Sequence, residues 1–165
     1  RGAFIVIEGL DRSGKSTQAA LLLARLQTHG PAKLIKFPDR TTPIGKLIDA
    51  YLRAETELDD RAIHLLFSAN RWELASSIEA DLRAGTTVLC DRYAFSGIAF
   101  SAAKLGPTEP TPLLPYEWCA APDTHLPVPD LTLFFDIPPA LAEARGGYGA
   151  ERYERAEMQA RVRTV

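Results

Sequence analysis

Gly9-Leu10-Asp11-Arg12-Ser13-Gly14-Lys15-Ser16 places two glycines, separated by four residues, ahead of a lysine and a hydroxyl. In that pattern the glycines let the backbone curl so that successive N–H groups and a helix N-terminus face one phosphate chain. Lys15 would reach the β- and γ-phosphates of a nucleoside triphosphate, and the Ser16 hydroxyl would hold Mg²⁺. The flanks agree with this reading. Phe4-Ile5-Val6-Ile7 is a short apolar, β-branched run suited to a buried parallel strand, and Ser16 to Leu26 has the composition and length of a helix. A glycine-rich turn with a surface lysine is the competing reading, and the strand, loop, helix context counts against it.

The 165 residues, 46% of them hydrophobic, suffice for a single domain over residues 1–165 with a substantial core. A net charge of -2 offers no bulk attraction to nucleic acid, so cationic work has to come from locally placed arginines. No apolar run approaches a membrane span, and no secretory pattern opens the chain. Two cysteines, Cys90 and Cys119, make no disulfide framework. Together these features predict an intracellular, reduced setting with neither nucleic acid nor membrane as partner.

Outward from the loop, strand and helix patterns alternate. Leu34 to Phe37 reads as a second strand, closed by Pro38 and followed by Asp39 and Arg40. Pro43 to Leu52 reads as a helix, and Leu58-Asp59-Asp60 opens a long one ending near Gly85. The long helix carries Asn70 and Arg71 on an otherwise apolar stripe from Ile63 through Phe67 to Leu82. A cation on such a stripe needs a partner. Phe67 and Arg71 project from one side, which suits a base-binding slot and equally suits a core Phe beside an Arg that snorkels outward.

Thr86 to Cys90 is a third strand, ending in Asp91-Arg92. An acid there either organises Mg²⁺ or caps the next helix. Tyr93 to Lys104 looks helical, with Ser96, Gly97 and Ser101 among small residues that admit close approach. Leu105 to Pro129 holds seven prolines, so it cannot be one helix and reads as surface loop around a turn at Tyr116 to Ala120, with Trp118 packing there. Leu131 to Phe135 is a fourth strand ending at Asp136, and Ala140 to Arg145 a short helix. Gly146-Gly147-Tyr148-Gly149 reads as a hinge before a last charged helix opening at Glu151. The span at about 145–153 is therefore a lid over phosphates or an ordinary surface turn.

Parallel α/β sheets bind ligands beyond the carboxyl ends of their strands. Here all four ends are polar, predicting one site in an α/β fold with a parallel sheet flanked by helices; Asp136 is the member read as structural. The single asparagine, Asn70, excludes the Asn-Lys-x-Asp element of a guanine-reading switch. Five arginines, Arg12, Arg40, Arg71, Arg92 and Arg145, exceed what one triphosphate needs and imply a second anion. Transfer from ATP to a phosphate-bearing acceptor fits, because guanidinium clamps offset the repulsion and an ionised acceptor phosphate needs no general base.

Taken in order, Gly9 to Thr17, Phe37-Pro38-Asp39-Arg40, Leu66 to Glu73, Asp91 to Gly97 and Glu151-Arg152-Tyr153-Glu154 resemble the successive motifs of the thymidylate kinase family, eukaryotic type. The resemblance implies a three-layer P-loop kinase fold and phosphorylation of thymidine monophosphate by ATP and Mg²⁺, in a homodimer of cytoplasmic or nuclear location. It implies ATP binding by Gly9, Arg12, Ser13, Gly14, Lys15, Ser16, Thr17 and Arg145, with Arg145 near adenine and Arg12 on the transferring phosphate. On the acceptor side it puts Asp11 on the 3′-hydroxyl, Arg40 on the phosphate and Arg92 between acceptor and donor phosphates. Phe67 would stack on thymine and Arg71 would donate to a thymine carbonyl. Phe37, Ser96, Gly97 and Ser101 join the acceptor pocket, and Tyr153 crowds the sugar 2′ position. Catalysis would fall to Lys15, Arg12, Asp11, Arg92 and Asp91, and metal binding to Ser16 and Asp91. Two departures stand out: Leu105 to Pro115 is longer than in relatives, and the family's fifth strand and terminal helix are missing, so a C-terminal truncation and an unpaired sheet edge are expected. A kinase for another nucleoside monophosphate, or a nucleotide-binding protein without catalysis, are the alternatives.

Overall fold

Strand β1 (Phe4–Gly9) lies inside a parallel sheet of order β2-β3-β1-β4, completed by β2 (Ala32–Lys36), β3 (Thr87–Asp91) and β4 (Leu131–Phe135). The computed structural model describes residues 1–106, 111–145, 149 and 151–165. An interior parallel strand is covered on both faces and has to be apolar on both. Phe4 and Val6 face one side with Val88 and Cys90, where Ala75, Ile78 and Leu82 of α3 (Asp60–Arg83) meet them. Ile7 and Leu89 face the other, against Ala19, Leu22 and Leu23 of α1 (Lys15–Gln27). The result is three layers, helix, sheet and helix. In the ladder Ile5 stands opposite Leu89 of β3 on one side and Leu131 of β4 on the other.

Local signals place the other elements. Pro43 opens α2 (Pro43–Leu52), whose first turn is capped by the Thr42 hydroxyl accepting from the Gly45 N–H at 2.9 Å. Asp59 caps α3 in the same way through Arg61, and Gly85 follows its end with φ 86°. Next come α4 (Ala94–Ala102), α5 (Tyr116–Ala120), a 3₁₀ turn (Ala121–Asp123), α6 (Pro139–Glu143) and α7 (Ala156–Thr164). Trp118 packs beside His64, with ring centroids 5.2 Å apart.

Three expectations change. The last helix starts at Ala156 rather than Glu151, because residues 151–154 form a turn, closed by the Glu154 N–H donating to the Glu151 carbonyl at 3.0 Å and held by tertiary contacts. The Arg152 N–H donates to the Leu52 carbonyl, and the Arg152 guanidinium lies 4.2 Å from the centroid of Tyr51. Asp136 does not join the other strand ends; it pairs with Arg163 at 2.9 Å on the surface. The Asp39 carboxylate turns back onto the Thr41 N–H and hydroxyl at 2.9 and 2.7 Å, making a local turn and leaving Arg40 alone to face the site. Among the described residues no strand covers the outer edge of β4, where Leu131 and Phe134 are exposed. Of the expected hinge, Gly146, Gly147 and Tyr148 lie outside the described residues.

Candidate active site

Beyond the ends of β1, β2 and β3 opens a cleft of about 470 Å³. Its floor is the loop between β1 and α1. Gly9 has φ 141°, and a Cβ there would run into the Phe135 carbonyl oxygen, so only glycine lets the strand turn here. Asp11, Arg12, Gly14, Lys15, Ser16 and Thr17 line the cleft. Gly9 and Ser13 do not: the Gly9 carbonyl accepts from Arg92 at 3.0 Å, and the Ser13 hydroxyl accepts from Lys15 at 3.3 Å. The Lys15 ammonium also donates to the Leu10 carbonyl, and burial, reinforced by the charge of Arg92, brings its pKa down to about 7. A cation held at such cost needs an anion, and phosphate at this loop would supply one.

The Ser16 hydroxyl donates to Asp91 Oδ2 at 2.6 Å. The other oxygen, Oδ1, is buried with no hydrogen-bond partner among the described residues. A buried carboxylate oxygen without a donor is destabilising, and a divalent cation with its waters satisfies it. The Ser16 and Asp91 oxygens therefore fit Mg²⁺.

After β3, Arg92 has φ 70° and sends its guanidinium to Asp11, the Gly9 carbonyl and the Ser96 hydroxyl. Glu8, unnoticed in the sequence, holds this arrangement. Its carboxylate accepts from the Tyr93 and Ser96 N–H groups at 2.9 and 3.1 Å and from the Ser96 hydroxyl, capping α4. Asp11 is gripped from α7: Gln159 accepts from the Asp11 N–H at 3.1 Å and donates to its carboxylate at 2.6 Å and to the Tyr153 carbonyl at 2.9 Å. Asn70 clasps both backbone groups of Asp39, which fixes the neighbouring Arg40. Phe37 and Phe67 line the wall between them.

Arg71 finds the partner that its stripe demanded. Asp123 accepts from its Nε and Nη2 at 3.1 and 2.6 Å, both side chains being buried. Gly97 makes room for this pair, because a Cβ there would stand 2.7 Å from both terminal nitrogens of Arg71. Snorkelling outward is thus excluded: Arg71 is 2% exposed and lines the cleft. At the same end Ser101 bonds His64 at 2.7 Å, while Tyr153 packs on Phe100 and meets the Tyr51 hydroxyl.

The surplus of arginines is met by carboxylates of the chain itself. Arg40 bonds Asp49 at 2.7 Å and Glu151 at 2.7 Å; burial opposes its charge, but these two acids outweigh that and raise its pKa. Arg12 bonds Glu154 at 3.0 Å. Arg145 reaches the Arg12 carbonyl. Glu151 and Glu154 belong to a motif singled out in the sequence, yet nothing local in it says that they face Arg40 and Arg12. Phe100, Asp123 and Gln159 also escaped the sequence reading, since their partners lie far away in the chain. Among the described residues no cluster of three or more His, Cys, Asp or Glu side chains that could hold a metal occurs, and no helix is long and apolar enough to cross a membrane.

Comparison with known proteins places this geometry in context. The family model described as thymidylate kinase matches residues 7–165. The thymidylate kinase of Schizosaccharomyces pombe is 56% identical over 163 residues, covering 98% of this chain and 74% of that protein. The human thymidylate kinase is 48% identical with the same coverage. A solved structure of thymidylate kinase from Candida albicans superposes with a TM-score of 0.90 at 47% identity, covering 99% of this chain and 76% of that one.

Proposed function

The chain belongs to the thymidylate kinase family, and on that premise we propose how its own residues divide the work. It phosphorylates thymidine monophosphate to the diphosphate with ATP as donor. The observation that carries the residue assignment is the convergence of Lys15, Arg12, Arg40 and Arg92 on one cleft that Phe67 and Arg71 close at the far end.

Lys15, the loop N–H groups and Thr17 take the donor phosphates, and Arg145 flanks the donor at the lid. Arg40 exchanges Glu151 for the acceptor phosphate, and Arg12 exchanges Glu154 for the phosphoryl group in flight. Arg92 stands between the two chains of phosphate. Asp11, oriented by Arg92 and Gln159, accepts the 3′-hydroxyl. The acceptor phosphate is ionised near neutral pH, so no residue acts as general base; catalysis is alignment plus charge neutralisation. Ser16 and Asp91 would hold Mg²⁺, the buried Oδ1 of Asp91 being the supporting observation. Mg²⁺ held there would supply charge neutralisation to the donor phosphates.

At the base end, Phe67 offers its ring as a stacking surface and Arg71, fixed by Asp123, turns its donors to a thymine carbonyl. Tyr153 crowds the sugar 2′ position. Homodimerisation and a cytoplasmic or nuclear location are proposed on the family premise alone. The test is ADP release from Mg²⁺-ATP against a panel of ribo- and deoxynucleoside monophosphates, with and without chelator. Selective, chelator-sensitive turnover of thymidine monophosphate is expected; preferential use of another monophosphate would overturn the assignment of Phe67 and Arg71.

A further inference from the structure

His64, on α3, is fully buried and stands one hydrogen bond behind the cleft. Its Nε2 lies 2.9 Å from the Cys119 carbonyl oxygen, and its Nδ1 lies 2.7 Å from the hydroxyl of Ser101, which lines the cleft beside Phe67 and Arg71. A carbonyl oxygen can only accept, so Nε2 carries a proton. Burial pushes the ring's pKa down, with Arg71 and Lys104 adding to that and the Cys119 carbonyl and Asp123 opposing it. The ring is therefore neutral near pH 7, and its Nδ1 is a bare lone pair. The Ser101 hydroxyl must then spend its only proton on Nδ1. What it shows to the cleft is lone pairs.

We propose that His64 is a specificity-determining positioning residue: by fixing its tautomer it makes Ser101 an obligate acceptor toward the base, selecting thymine over cytosine. This rests on the reading of the cleft as a thymine slot. The discrimination is chemical. Thymine carries a proton on N3, which an acceptor welcomes, whereas cytosine presents a lone pair at N3 and an amino group where thymine has the carbonyl that Arg71 reads. Against cytosine, the Ser101 lone pairs and the Arg71 donors both face like groups, so a free hydroxyl able to turn and donate would remove half of the discrimination. His64 prevents that turn.

The test compares kcat/KM for thymidine and deoxycytidine monophosphates in His64→Gln, His64→Asn and Ser101→Ala, each checked by circular dichroism and thermal melting. Gln keeps a donor for Cys119 but offers Ser101 no acceptor, and the thymine to cytosine ratio should fall about tenfold, as for loss of one oriented hydrogen bond. Asn places an amide oxygen near the former Nδ1 and should retain the larger ratio. Ser101→Ala should fall at least as far as His64→Gln. An unchanged ratio in His64→Gln, or equal losses in Gln and Asn, would overturn the proposal. Independently of folding in the variants, long-range ¹H–¹⁵N spectra of the unsubstituted protein labelled at its histidines should show the Nε2–H tautomer for His64; the Nδ1–H form would overturn it. Phe67→Ala separates the underlying reading: if it leaves the KM for thymidine monophosphate unchanged, the slot itself is misassigned, whatever the tautomer.

Discussion

Replacing Lys15 by methionine should abolish turnover and yet make the nucleotide-free protein more stable. A lysine whose pKa drops from 10.5 to about 7 on folding costs the native state about 4–5 kcal/mol near or below pH 7, at ~1.4 kcal/mol per tenfold. Methionine removes that cost, but it also removes the bonds to the Leu10 carbonyl and the Ser13 hydroxyl, at roughly 1 kcal/mol each. The net gain is about 2–3 kcal/mol, or ~5–10 °C in Tm for a chain of this size. The sign of the pH dependence follows from the direction of the shift. Between about 7 and 10.5 the unfolded lysine binds more protons than the native one, so the wild-type protein gains stability as pH rises. The advantage of Lys15→Met is therefore greatest at or below pH 7 and fades toward pH 10.5. ATP binding tells the same story from the other side: phosphate restores the ammonium, and at pH 8 binding should be accompanied by net proton uptake. Thermal melts across pH, and calorimetry in buffers of differing ionisation enthalpy, read both effects. A Tm for Lys15→Met below the wild type at pH 7, together with no proton uptake on ATP binding, would refute the reasoning.

Three further substitutions probe the acceptor side. Asp123→Ala strands the buried Arg71 guanidinium and should cost about 3–5 kcal/mol, seen as a lower urea midpoint along with a raised KM for thymidine monophosphate. Gly97→Ala drives a methyl to 2.7 Å from the Arg71 terminal nitrogens; the guanidinium must shift, and steady-state kinetics should show roughly a tenfold higher KM for the acceptor with a smaller change for ATP. Arg40→Ala removes the charge-assisted bonds, of ~1.5–3 kcal/mol each, proposed to the acceptor phosphate, so acceptor KM should rise between about tenfold and a hundredfold. Its side chain is one-third exposed, so the stability change should stay within about 1 kcal/mol.

Local requirements made much of this protein legible before its structure. A phosphate loop needs particular residues at adjoining positions, a buried parallel strand needs a continuous apolar run, and the caps at Thr42, Asp59 and Gly85 act within three or four residues. Such constraints leave their mark in neighbouring letters, so the strands, the long helix and Gly9 to Thr17 could be placed. The motifs that resemble the thymidylate kinase family added roles for Asp11 and Tyr153, and both residues line the cleft together with Arg40. The tertiary structure alone decided which carboxylate answers which cation. Arg71 meets Asp123 from the Pro-rich segment, Arg40 meets Glu151, Arg12 meets Glu154, and Asp11 is gripped by Gln159. It also stopped α7 short of Glu151 and gave Asp136 to Arg163 rather than to the site. Sequence spacing carries no record of these pairings because their partners lie from 27 to 148 residues apart. Desolvation selects such partners only once the packed sheet and its helices bring them within reach.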